Sequence, residues 1–496
     1  MKTLFYFFLL LIVYVLSSCS ASNSIAYTPL KKFSPQQLKE DMQVLEQTLR
    51  YNHPSLTWYN SDSVITASFQ RGYSLLNDSL TETQFRNVLS ETVFPIRCGH
   101  TSVQVSKQSV QYRKNRREKS FPLGMKIIND STLVVTTNLN RRDSILKTGT
   151  KIFAVNGLTA KQIIDTMLPL VSIDGNSKNF SYQNLSNSFT SYYNNRFGLY
   201  EKYHVIYYDN KQSLKKAIVN LYNPAGDTFR RAPVVINRFP VQQETQSQRQ
   251  RKLQRIRSFT IDSTKTYAVL RLNSFGADLR RSYLRKSFRQ LRKNKINNLV
   301  IDVRNNGGGL IKTSLWLSKQ LHHQPFSFTD SVYTKHRKIK TKAQINKRIV
   351  YNLGLLFLNR KKNDSLYEFC YFTKKEYSPG KKNYKGQVYL LTGGFSFSAT
   401  TLFAASVKGL NNVTIIGEET GGAYYGNNGV FIPEMTLPQT KIRIRLPLYR
   451  IVNNKNFPKN GSGVLPDIEV KPTEESIRQN RDPKMEKAIE IIKSKK

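Results

Sequence analysis

Gln387-Val388-Tyr389-Leu390-Leu391-Thr392-Gly393-Gly394-Phe395-Ser396-Phe397-Ser398-Ala399-Thr400-Thr401 is the stretch on which the reading of this chain turns. Its first five residues have the apolar, β-rich composition of a buried strand, and the small residues from Ala399 to Val407 predict a helix. Ser398 therefore stands at a strand-to-helix junction. Backbone N–H groups at a helix N-terminus point at any anion that develops beside them, which equips such a serine to be the nucleophile of an acyl transfer. The same position also suits a serine that only caps the helix.

A second junction upstream has the same form. Leu299-Val300-Ile301-Asp302-Val303-Arg304 reads as a core strand, runs into Asn305-Asn306-Gly307-Gly308-Gly309, and continues into a helix striped with Leu310, Leu317 and Leu321. In a parallel α/β sheet such strand ends lie on one edge, so the glycine turn and Ser398 are expected in one cleft. Glycines let the backbone approach a ligand closely. The N–H of Gly307 or Gly308 is a candidate to join that of Ala399 in an oxyanion hole.

Asp302-x-Arg304-x-Asn306-x-Gly308-Gly309, then Ser396-Phe397-Ser398-Ala399, then Gly417-Glu418-Glu419-Thr420-Gly421-Gly422, in this order, resemble the core of the tail-specific (C-terminal-processing) serine peptidases. The resemblance runs from about Ser34 to Pro472. It implies an α/β fold: a crotonase/ClpP-like ββα superhelix as catalytic core, with an inserted PDZ-like module and a helical N-terminal region. It also implies that Ser398 is the nucleophile and that polypeptides are the substrates. The processing branch of that family activates its serine with a lysine shortly after the Gly-Glu segment, where this chain has Ala423.

The tricorn-like branch uses an upstream histidine instead, and Cys98-Gly99-His100-Thr101-Ser102 stands in its place, so the chain is closer to that branch. An imidazole with an ordinary pKa near ~6.5 can take a serine proton at neutral pH, whereas a lysine near ~10.4 needs strong desolvation to do so. The residue that orients His100 stays open. The branch places a glutamate before a Gly-x-x-Pro-Asp element, which here is Gly463-Val464-Leu465-Pro466-Asp467, and the matching position is Asn460 or a neighbour; Glu418 and Glu419 are alternatives. Cys98 is a rival nucleophile if Cys98 to Val105 is a strand that turns residues 98 and 100 to one side. A buried Cys98, or a Cys98–Cys370 disulfide, is the plainer expectation.

The amino terminus indicates where the protein resides. Lys2 precedes thirteen apolar-rich residues from Leu4 to Leu16, short of the ~20 that span a bilayer as a helix, and so reads as a signal peptide. Leu16-Ser17-Ser18-Cys19 resembles a bacterial lipobox, which makes Cys19 a lipidation site and the chain a lipoprotein of the cell envelope, periplasmic or at the cell surface. The net charge is +44, from 77 Lys and Arg against 33 Asp and Glu. The chain has no helix-turn-helix, zinc or aromatic RNA-binding signature, so an anionic membrane or envelope surface suits this charge better than nucleic acid. Neither a cofactor nor a metal is expected.

The expected organisation is a signal peptide over 1–18, a helical region over 24–117 carrying His100, a PDZ-like domain over 118–223, a basic linker over 224–257, the protease core over 258–473 and a C-terminal helix over 474–496. Ser34-Pro35-Gln36-Gln37 and Thr81-Glu82-Thr83-Gln84 are capping boxes that open two N-terminal helices. Phe121-Pro122-Leu123-Gly124-Met125 resembles a PDZ carboxylate-binding loop, whose neighbouring strand edge would pair with a peptide. Ile349 to Leu358, apolar within a lysine-rich insertion, reads as a cover for the cleft. Two main functions remain, an envelope serine endopeptidase using Ser398 and His100 or a catalytically inactive peptide- or envelope-binding lipoprotein of the same fold, with an esterase or other hydrolase using the same serine as a lesser alternative.

Overall fold

In the computed structural model, residues 27–114, 116–227, 246–363, 366–371 and 376–495 are described. The signal segment, Cys19 and the middle of the linker, 228–245, lie outside these residues.

The core is a six-stranded sheet in the order Arg257–Ile261, Ala268–Leu272, Asn298–Asp302, Gln387–Thr392, Val413–Gly417, Ile468–Glu469. The first pair is antiparallel and the rest are parallel. Side chains alternate across a strand. Leu299, Ile301, Val388, Leu390 and Ile415 accordingly pack with the helices Arg281–Lys293, Ile311–Leu321 and Ala399–Val407. Val300, Tyr389, Leu391 and Ile416 meet Ala488 and Ile492 of the C-terminal helix Pro483–Ser494. Covering both faces is what makes these strands continuous apolar runs. The α/β expectation holds.

Asn298–Asp302 and Gln387–Thr392 are neighbours, with Asp302 opposite Leu391, so the two glycine-rich turns leave the same edge side by side. Arg304, just beyond the first strand, holds Asp302 at 2.9 Å and also reaches Asp482, the N-cap of the C-terminal helix. The acid and base of the Asp-x-Arg motif thus tie the last helix to the sheet.

Both capping boxes form, opening the helices Pro35–Asn52 and Glu82–Val93. An antiparallel sheet of Leu123–Ile127, Leu133–Asn138, Lys151–Val155, Lys202–Tyr208 and Leu214–Asn220 has its own apolar cluster. Its Leu123–Ile127 edge faces the helix Asn179–Asn187: Ile127 N–H donates to Ser186 Oγ and Lys126 Nζ to Gln183 Oε1. Part of the edge expected to receive a peptide is therefore already engaged by the chain itself.

Two local expectations fail, the strand through His100 and the disulfide. Cys98 to Val105 is not a continuous strand: only Val103–Gln104 is, and His100 sits in a turn where Thr101 N–H donates to Cys98 O. Cys98 and Cys370 are both free, so the disulfide does not form, while the expectation of a buried Cys98 holds and Cys370 is exposed. The helix Arg348–Phe357 turns Leu355 into the cluster built by the N-terminal helices and sets Gly354 against Phe431, with most of its apolar side chains outside. Part of the basic linker is helical, over Gln246–Ile256. Among the described residues no helix is long and apolar enough to cross a membrane.

Candidate active site

Ser398 follows the Gln387–Thr392 strand and precedes the Ala399–Val407 helix with φ 55° and ψ −124°. That conformation costs a residue with a Cβ about 1–3 kcal/mol and persists only where the surroundings impose it. Here they do. Ser396 Oγ accepts from Gly393 N–H and donates to Val303 O, and Ser396 O accepts from Gly421 N–H and Thr401 Oγ1. Phe397 N–H donates to Asn306 O. The result is the sharp strand-to-helix turn that presents a serine hydroxyl outward. The Ser398 side chain makes no capping bond, so the helix-cap reading does not describe it.

Its hydroxyl lies 3.1 Å from Nε2 of His100. The histidine turn is held from several directions. Gly99 N–H donates to Asp174 Oδ1 at 2.7 Å, Ser172 Oγ donates to Thr101 O, and His53 Nε2 is 3.0 Å from Thr101 Oγ1. A Cβ on Gly99 would fall 2.6 Å from the Phe397 ring, so only glycine fits there. That ring in turn lies 4.8 Å from the imidazole and stacks on Phe180.

Burial, reinforced by the positive charge of Arg445, pushes the His100 pKa down to about 3. The imidazole is therefore neutral at physiological pH. For Nε2 to accept the serine proton, Nδ1 must carry the ring hydrogen. Nδ1 is buried and has no hydrogen-bond partner among the described residues.

None of the three orienting candidates has a hydrogen bond to it. Glu418 pairs with Lys484 Nζ at 2.5 Å in a buried ion pair, Glu419 Oε1 accepts Gly463 N–H at 2.6 Å, and Asn460 Oδ1 accepts from Ser462. Asp174 is the residue that sequence reasoning missed. Burial pushes its carboxyl up to about 7 against the opposing bond from Gly99, and its Oδ2 has no partner among the described residues. A buried acid followed by Gly175, whose φ is 58°, was the available signal, but it lies in a segment read as part of the inserted module.

Gly308, with φ 100°, comes so near the Ser398 turn that a Cβ there would meet Ser398 Cβ and Phe397 O, each at 2.8 Å. Its N–H already donates to Asn306 Oδ1 at 2.9 Å. The N–H groups of Gly307, Ala399 and Ser398 itself have no partner among the described residues. Cys98 is a poor nucleophile where it lies: burial pushes its thiol up to about 12, and Asn428 Nδ2 donates to its Sγ. Ala423 is buried and bridges Gly463. Among the described residues no group of His, Cys, Asp and Glu could hold a metal.

The comparisons with known proteins bear on the whole arrangement. Residues 266–470 match the model of peptidase family S41. The fold is similar to that of mature CPAF: the structure complexed with lactacystin superposes with a TM-score of 0.62 at 16% identity, covering 92% of this chain and 98% of that one. A second structure of mature CPAF gives 0.60 at 15% identity, covering 92% of this chain and 97% of that one. No curated protein matches the sequence. The family match spans both glycine-rich turns and five of the six strands of the core sheet, so residues 266–470 of the chain form a peptidase family S41 domain.

Proposed function

We propose that this protein is a serine endopeptidase of the bacterial cell envelope, acting on unfolded or C-terminally exposed polypeptides through Ser398 and His100. The observation that carries the reading is the 3.1 Å approach of His100 Nε2 to the Oγ of a serine held at φ 55°. Nε2 takes the hydroxyl proton as Oγ attacks the scissile carbonyl carbon, and the carbonyl oxygen becomes an oxyanion. The free N–H groups of Ala399 and Gly307 receive that charge. The imidazolium then protonates the departing amine, and water, deprotonated by the same Nε2, releases the acyl group from Ser398.

A buried imidazolium is disfavoured, as the depressed His100 pKa records. Asp174 acts as a positioning residue: it fixes Gly99, next to the histidine, and its charge above about pH 7 favours the imidazolium. Envelope residence rests on the Leu4 to Leu16 segment and on Cys19 as lipidation site.

Mass-spectrometric analysis of a mixed unfolded-peptide pool tests the function, with the parent, Ser398→Ala and His100→Ala compared. Cleavage by the parent that disappears in both variants supports the Ser/His peptidase. A folded parent that cleaves nothing removes it in favour of a binding lipoprotein.

A further inference from the structure

A surface helix in a water-soluble protein ordinarily turns polar residues outward. The helix Arg348–Phe357 does the reverse. Leu355 is buried at 1% exposure, while Ile349, Val350, Leu353, Leu356 and Phe357 are 75%, 62%, 49%, 42% and 73% exposed. At 3.6 residues per turn these five side chains share one arc opposite Leu355. They form a contiguous apolar face, where isolated exposed apolar side chains would need no explanation.

The charge around this face is predominantly positive, with Glu368, across the strand pair from Arg360, as an acidic neighbour. From Lys335 to Asn363 the chain carries ten Lys and Arg and no Asp or Glu. Lys347 is the N-cap of the helix, and Arg360 follows its end, both exposed. A groove of about 490 Å³ at the side of the helix is lined by Arg337 and Lys338 together with Ile349 and Leu353, which sets cations directly beside the apolar residues. Ten residues are too few to cross a bilayer.

We infer that this helix is a docking surface for an anionic lipid bilayer, lying in the interface with its five apolar side chains among the acyl chains and its basic rim at the headgroups. Apolar burial and attraction to anionic lipid act together in such helices. A second copy of the chain is a poorer occupant, because a two-fold interface through this face would bring two basic rims together. The inference stands on the surface alone and is independent of the peptidase reading and of the acyl group on Cys19.

The test uses the full chain with Cys19→Ser, so that no attached lipid contributes, and with Phe357→Trp as a local reporter. Vesicles of phosphatidylcholine, with or without phosphatidylglycerol, carry brominated acyl chains that quench indole on contact. The expected result is a blue shift and quenching of the new indole only with phosphatidylglycerol present, reversed by high salt. Adding Ile349→Ser and Leu353→Ser should weaken binding by about tenfold or more, and each of Lys347→Gln and Arg360→Gln by about fivefold. No quenching on anionic vesicles, or equal quenching on neutral ones, overturns the inference. So does a dimer, seen by analytical ultracentrifugation, that Leu353→Ser dissociates.

Discussion

The two halves of the Ser398–His100 pair are held in different ways. Ser398 sits between a regular strand and a regular helix, and most bonds shaping its turn come from the two adjacent junctions and the Gly421 segment. His100 sits in a turn without regular structure, held by His53, Ser172 and Asp174, residues far from it in sequence. Local backbone geometry presents the hydroxyl, and tertiary contacts present the base. Changes near the serine should therefore act through strain and sterics, and changes near the histidine through position and charge.

The largest expected effect is the loss of the nucleophile. Ser398→Ala should lower kcat by about a millionfold while leaving the melting temperature unchanged or raised, because alanine removes no structural bond from the turn. Peptidase assay and calorimetry on one sample check both parts, and residual activity near the parent's would show that the turn presents nothing of chemical use. His100→Ala should cost about a thousandfold, the range for a general base. If the two losses differ little, the pair acts as one unit.

Gly308→Ala tests the serine side without touching the reacting atoms. A methyl group at φ 100°, 2.8 Å from Ser398 Cβ, has to displace the turn, so kcat should fall about a hundredfold with a stability loss of about 1–3 kcal/mol. A fully active and stable variant would remove strain from the account.

Asp174→Asn tests the histidine side and should show the smallest change in rate, concentrated in its pH dependence. Folded, Asp174 keeps its proton up to about pH 7, whereas the free carboxyl loses it near 3.8. The folded chain binds more protons between these values, so the Asp174 contribution to stability falls as pH rises through that window. His100 acts in the opposite sense: its pKa drops from 6.5 to about 3 on folding, so its contribution is present above 6.5 and is lost as pH falls towards 3. Denaturant titrations at several pH values should show Asp174→Asn gaining on the parent by a few kcal/mol between pH ~4 and ~7. The parent's kcat/KM should rise through pH ~7 and the variant's should not. Parallel profiles for the two proteins would leave Asp174 a purely structural residue.

Much of the sheet was legible because its evidence is local. A strand buried on both faces reads as an apolar run, and glycines or a capping serine mark where it stops. Leu299 to Asp302 and Gln387 to Leu391 show this, as do the capping boxes at Ser34 and Thr81. The turn at His100 was misread as a strand because Val103 to Val105 invites one, while the turn, closed by Thr101 N–H on Cys98 O, is held in place by residues more than forty positions away.

The amino-acid sequence by itself determined where strands end in glycine turns, that Ser398 lies at such an end, and that the chain is strongly basic, since spacing, composition and charge are properties of neighbouring residues. Only the tertiary structure decided that His100 Nε2 lies within hydrogen-bonding distance of Ser398 Oγ, that Gly308 spends its N–H on Asn306, that Glu418 answers Lys484, and that Asp174 is buried beside the histidine turn. Each of these depends on how distant segments pack, and hydrogen bonds and burial act over a few ångströms of space whatever the separation along the chain.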